Sequence, residues 1–420
     1  MDLIETFGAK IGALSEEKPQ RARQLLTAGF RANGVKNKLA SKRSSKSDRM
    51  LFQLVNRAMV TCLAKPQSNV MVSLFTPCEM LHLQGLHPYS CEGFSSYLSG
   101  AMAEQPFLHQ AEDTGIPNSL CSYHKVFIGA AQMGLMPKPR FILSTSLACD
   151  ANTLTFRHLA QFYDVPHFNV DIPFESSPQA VDYVAGQLRQ MGEFLTQQTG
   201  LPLDDGQLAR TVARSQRTMA LYHRGLRLRA GRQVLSDLTS ELLRTAAFHF
   251  LRGTPETEAY ARQLLREITT APPAQGKQLL WSHTTPYWVA PLRHLFAQST
   301  RVQVAACDMS YEGIVEADPT KPYEAMARRL VYSPFNGPAQ RRIDRALEMA
   351  KTVGADGAVW FCHWGCKHTL GGARLGKKAL EEAGLPTLLL DGDSCDRGFG
   401  GEGQAATRME AFLEVLEGMA

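Results

Sequence analysis

Short apolar runs that each end in a loop, with helical spacing between them, constrain this chain more than any other feature. Three lie early, at 69–75, 140–144 and 167–171, and four late, at 278–282, 302–307, 357–361 and 386–390. Apolar runs of this length alternating with amphipathic helical text specify parallel strands joined by crossover helices. Between the two sets, 177–272 reads Leu, Ala, Arg, Gln and Glu at helical spacing. Gly200-Leu201-Pro202 breaks it, and Asp204 and Asp205 are set to start the next helix. A chain of 420 residues exceeds one ordinary core. The expected fold class is therefore α/β: a helical N-terminal segment at 1–65, a first α/β domain at 66–176, a helical connector at 177–272 and a second α/β domain at 273–420.

With 44% hydrophobic and 20% charged residues the chain reads as globular. Its first twenty residues have no apolar core behind a basic segment, and no apolar run approaches the roughly 20 residues of a membrane span. A cytoplasmic enzyme with no membrane partner is the expectation. Nine cysteines in a reducing compartment argue against a disulfide framework and for metal or redox use. Much of the +5 net charge sits in Lys36, Lys38, Lys42, Arg43, Lys46 and Arg49, interleaved with serines but without aromatic rings for base stacking. That stretch reads as a solvated linker, so no nucleic acid is expected. The chain has no P-loop, and Gly371-Gly372 is too short for a dinucleotide fingerprint, so no nucleotide site is expected either.

Cys78, Cys91, Cys121, Cys149, Cys362, Cys366 and Cys395 fall at strand ends and in turns. Ligands of open α/β sheets collect outside the carboxyl ends of the strands. Cys78, Cys149, Cys362, Cys366 and Cys395 are expected there, and thiolates converging from loops point to an iron-sulfur centre. The strongest local signal is Phe361-Cys362-His363-Trp364-Gly365-Cys366-Lys367-His368, which follows an apolar strand and precedes a helix whose positive end favours an anionic cluster. Zinc would want paired C-x2-C sets, and a thioredoxin site a C-x-x-C; neither occurs. His363 and His368 flank Cys366, and His124 follows Cys121. All three are candidates to hydrogen-bond sulfur or to deliver protons, the alternative being satisfied core or surface histidines. Asp391-Gly392-Asp393 reads as a capping turn in which Asp393 could instead orient Arg397. Glu402, Gln404 and Arg408 read as structural, and Cys62 and Cys307 as non-ligands.

The segment 371–413 carries a resemblance, above all Lys377-Lys378-Ala-Leu-Glu-Glu-Ala-Gly-Leu-Pro-Thr-Leu-Leu-Leu-Asp391-Gly392-Asp393 and Glu402-Gly-Gln404-Ala-Ala-Thr-Arg408-Met-Glu410-Ala-Phe. Together with the cysteine pattern it resembles the 2-hydroxyacyl-CoA dehydratase family, which includes the benzoyl-CoA reductase subunits and the double-cubane cluster proteins. The resemblance runs from about Val70 to the C-terminus and implies two Rossmann-like domains with a 4Fe-4S cluster between them, held by Cys121, Cys149 and Cys366. The surplus Cys78, Cys91, Cys362 and Cys395 make the double-cubane branch the nearest likeness, with an 8Fe-9S cluster needing three of those four as well. That branch implies a homodimeric reductase that takes low-potential electrons from a separate ATP-hydrolysing iron-sulfur activator and reduces a small molecule. Two alternatives stand beside it: a dehydratase subunit with a single 4Fe-4S cluster, and a non-catalytic electron-storage protein.

Overall fold

The computed structural model describes residues 3–39, 44–234, 236–311 and 316–419. Strands β1 (Asn69–Val72), β2 (His87–Ser90), β3 (Phe141–Thr145) and β4 (His167–Val170) form one sheet in the order β2-β1-β3-β4. Strands β5 (Lys277–Ser282), β6 (Val302–Cys307), β7 (Gly357–His363) and β8 (Thr387–Gly392) form a second in the order β6-β5-β7-β8. Every pairing is parallel. The two sheets thus repeat one topology, and in each the strand order reverses between the first and third strands. Crevices open at that reversal, outside the carboxyl ends. The fold is the expected α/β with two parallel-sheet, Rossmann-like units.

The central strands β1, β3, β5 and β7 are buried along nearly their whole length, which is why they read as unbroken apolar runs. Strand β2 gave no such signal because it is His-Pro-Tyr-Ser. Proline lacks an N–H for the ladder and is confined to edge strands, and β2 is an edge, with Pro88 opposite Val70.

Helices Leu3–Glu17, Pro19–Leu39 and Lys46–Ala64 precede the first sheet. The third is capped by Ser45, whose hydroxyl accepts the Asp48 N–H at 3.0 Å. Lys42 and Arg43 of the basic stretch lie outside the described residues. Between the sheets run helices Pro178–Thr199, Asp205–Arg229, Leu238–Phe250 and Pro255–Thr270. The first ends on Gly200 in the left-handed conformation, and Asp204 caps the second. A buried ion pair joins the two halves: Arg329, on helix Pro322–Val331, grips Glu79 at 2.6 and 3.1 Å, and Ser215 donates to the same carboxylate at 2.9 Å. Among the described residues no helix is long and apolar enough to cross a membrane.

Candidate metal centre

Five helices begin at cysteines, those at Cys78 and Cys91 and three others that bear on the site. Cys121 is the N-cap residue of helix Ser122–Gln132, Cys149 of Asp150–Tyr163 and Cys366 of Lys367–Glu382. Cys149 follows β3 and Cys366 follows β7, the corresponding strands of the two sheets, so both stand where the strand order reverses. None of the three thiols caps its own helix by a hydrogen bond. The positive ends of three helices are thereby offered to one region.

The chain makes this convergence possible at Gly365. Its φ of +74° is unfavourable for an L side chain, and a Cβ there would lie 2.6 Å from the Cys121 nitrogen and 2.7 Å from its Cα. Glycine therefore lets the turn carrying Cys366 rest on the backbone of Cys121. Ala148, next to Cys149, also has a positive φ of 76°, as does His283 directly after β5 with 87°. Backbone strain of this kind gathers where a side chain must be aimed.

His363 lies between the two domains' contributions. The Ser394 N–H donates to its Nδ1 at 3.1 Å, which places the proton of the neutral ring on Nε2, and Nε2 stands 3.2 Å from the Cys121 sulfur. The ring thus donates an N–H to sulfur. Burial holds its pKa below the usual histidine range, although Asp393 and Asp396 pull the other way. Asp393 ties the turn to the first domain: its Oδ1 accepts from the Ser122 hydroxyl at 2.6 Å and from the Cys395 and Asp396 N–H groups at 2.7 Å. It caps the turn, as one reading of Asp391-Gly392-Asp393 held. The other reading fails, since Arg397 pairs with Glu104 at 2.8 Å.

Electrostatics link the three thiols. Burial raises the Cys121 pKa, and the next contributions come from Cys366, Asp393 and Cys149. Burial likewise pushes Cys149 up to about 12, with Cys366 the next cause, and raises Cys366 against the opposing charge of Arg342. Desolvation outweighs the helix ends here, so these groups remain thiols at neutral pH unless a cation compensates them. Arg342 is held by Asp308 at 2.9 Å and lies over the rings of Phe335 and Trp360.

The surplus cysteines divide. Cys91 and Cys395, both fully buried, are electrostatic neighbours of Cys121. The Cys91 sulfur lies 3.6 Å from His124 Nδ1, and the Cys395 sulfur faces the Ser95 carbonyl at 3.7 Å. Cys362 is not in a loop. It is part of β7, opposite Asp391, and because side chains alternate it points away from the His363 face, toward Asp391 and Arg408. Cys78 is also apart, its thiol 3.3 Å from the Thr76 carbonyl and its charged neighbours Glu79, Arg329 and Arg252. Cys62 and Cys307 are buried against the carbonyls of Pro88 and His283. His368 is fully engaged: Arg342 donates to its Nδ1 at 3.2 Å and its Nε2 meets the Phe335 carbonyl at 3.3 Å. Burial brings both His368 and His124 down to about 4, so each ring is neutral at neutral pH.

Sequence reasoning missed Glu92 and His283. Glu92 follows Cys91, is an electrostatic neighbour of Cys149, and is pushed by burial up to about 7; its Oε2 is buried with no hydrogen-bond partner among the described residues. The Ser-Cys-Glu at the end of β2 would have been the signal, had the strand been legible. His283 directly follows β5, with its ring 5.9 Å from that of His363 and its Nδ1 unpartnered among the described residues. Trp-Ser-His-Thr-Thr after an apolar run was its signal.

Among the described residues no group of three or more His, Cys, Asp or Glu side chains is close enough to hold a single metal ion. A polynuclear cluster makes a different demand, because it spreads its thiolates over its own faces. Three thiols at helix ends, an N–H donor to one sulfur and a nearby guanidinium suit an anionic iron-sulfur cluster.

Two four-stranded parallel sheets of one topology, each followed at its third strand by a cysteine, define an α/β protein with two Rossmann-like units. The chain belongs to the family of the 2-hydroxyglutaryl-CoA dehydratase D-component, whose model matches residues 73–416. It is similar to the (R)-phenyllactyl-CoA dehydratase alpha subunit of Clostridium sporogenes, at 22% identity over 337 residues, covering 74% of this chain and 80% of that protein.

Proposed function

We propose that this chain is the iron-sulfur component of an activator-dependent 2-hydroxyacyl-CoA dehydratase of the cytoplasm, with one 4Fe-4S cluster on Cys121, Cys149 and Cys366. The observation that carries the reading is that Cys121, Cys149 and Cys366, each at a helix start, are electrostatic neighbours of one another, with Gly365 seating the Cys366 turn on Cys121 and the His363 N–H directed at the Cys121 sulfur. When bound, the cluster supplies a low-potential electron and an iron position open to substrate. The chain's own residues hold and protonate. His363 stabilises the Cys121 thiolate. Glu92, protonated below about pH 7 by burial, donates the proton that the leaving hydroxyl needs. Lys36 and Arg293, both exposed, are cations suited to the phosphates of a CoA thioester. Electrons come from a separate ATP-hydrolysing activator.

The double-cubane reductase remains the second reading, favoured by Cys91 and Cys395 beside Cys121. Anaerobic assay with activator, ATP and a 2-hydroxyacyl-CoA separates the two. Formation of the 2-enoyl-CoA with only catalytic electron input supports the dehydratase. Stoichiometric electron consumption with a reduced small molecule as the product overturns it.

A further inference from the structure

A chamber of about 800 Å³ lies beside the candidate centre, within the size range of small-molecule sites. One wall comes from the N-terminal helices, through Phe7, Phe30, Phe52 and Met59. These residues precede the family-matched region, which begins at residue 73. The wall is firmly seated. A Cβ on Gly8 would come within 2.0 Å of the Met102 carbonyl oxygen, so helix Leu3–Glu17 lies directly on that turn. Arg23 donates to the carbonyls of Leu135 and Gly134 at 2.7 and 2.9 Å, and Phe30 meets Tyr97 edge-on at 4.9 Å.

Another part of the lining is polar. Glu92, Tyr97, Tyr123 and Trp288 line the chamber, and each has a buried polar atom with no hydrogen-bond partner among the described residues: Oε2, the two hydroxyls and Nε1. Ser90 stands beside the Glu92 carboxyl and Ser96 beside the Tyr123 hydroxyl without satisfying those atoms. Unpaired buried polar atoms cost stability unless something bound supplies the partner. Tyr123 also connects the chamber to the centre, its ring 5.2 Å from His363.

We infer that this chamber receives the acyl side chain of the substrate, that the chain acts on acyl groups with a bulky apolar side chain, and that its N-terminal helices set this preference. The oxygens of the acyl head meet the polar wall, and the side chain fills the space against the aromatic residues. The inference rests on the dehydratase reading for the word substrate, but the chamber's binding chemistry can be tested without it.

The anaerobically purified, cluster-containing protein is titrated with acetamide, butanamide, hexanamide and octanamide by calorimetry, with tryptophan fluorescence as the report from Trp288. Each added methylene should tighten binding about fourfold until the chamber is full. Ala58→Phe on the N-terminal side and Ala246→Phe on helix Leu238–Phe250 both reduce the space and should stop that gain at shorter chains, with iron content unchanged. Two variants on different walls guard against one that fails to fold. Equal affinity across the series, or a gain that neither variant shortens, overturns the inference. A full gain in a protein that forms no enoyl-CoA upholds the chamber and overturns the dehydratase reading, whereas a flat series in an active dehydratase does the reverse.

Discussion

The ion pair between Glu79 and Arg329 offers a quantitative test of how the two halves are held around the centre. Burial alone would raise the Glu79 carboxyl, yet the Arg329 guanidinium, at 2.6 and 3.1 Å, with a smaller contribution from Arg252, lowers it from 4.5 to about 2. A fall of roughly two and a half pH units corresponds to about 3 kcal/mol of folding free energy. Because the folded-state pKa is depressed, that contribution is present above pH 4.5 and disappears as pH falls through about 2. Arg329→Met removes the guanidinium and leaves a buried carboxylate, at a cost of about 3–5 kcal/mol at pH 7. Glu79→Leu combined with Arg329→Met removes both charges and should recover most of the loss. Urea unfolding is to be followed anaerobically at pH 7 and pH 3, comparing each variant with wild type on the same transition. A loss below 1 kcal/mol at pH 7, or a gap between wild type and Arg329→Met as wide at pH 3 as at pH 7, would refute the reasoning.

Four further outcomes are expected. Gly365→Ala should separate the Cys366 turn from Cys121 and lower bound iron well below wild type, because the new Cβ would meet backbone at 2.6 Å; unchanged iron would show that the close approach is dispensable. Activity should be highest below about pH 7 and decline above it as the Glu92 carboxyl ionises. Glu92→Gln should abolish most activity with iron retained, and a fully active variant would remove Glu92 from the mechanism. Purified alone, the chain should scatter light at twice its 46.4 kDa mass. A monomer would contradict the homodimer.

Much of the fold was legible because buried parallel strands must be apolar on both faces. Val302–Cys307 was delimited to the residue for that reason. Strand β2 was not, because an edge strand can carry proline and polar residues without loss. The candidate site shows the same division. Cys121, Cys149 and Cys366 were singled out as a set by the family resemblance, not by any local signal, and the structure stands each of them before a helix. Cys362 looked equivalent only because the end of β7 was placed two residues early; a strand that continues to His363 turns Cys362 to the other face. His363 and His368 were indistinguishable in the sequence, and separating them required Ser394 and Arg342, partners distant along the chain. The mark that Glu92 does carry, Ser-Cys-Glu after β2, was hidden with that strand, and its raised pKa comes from burial that only the packed structure creates.

The central claim is that Cys121, Cys149 and Cys366 hold one cluster. Iron and acid-labile sulfide, counted per chain after anaerobic purification of wild type and of the seven single Cys→Ser variants, test it most directly. The account requires about four irons in wild type, near-complete loss in Cys121→Ser, Cys149→Ser and Cys366→Ser, and retention in Cys78→Ser and Cys362→Ser. About eight irons per chain, with loss spreading to Cys91→Ser and Cys395→Ser, would contradict it in favour of a double cubane.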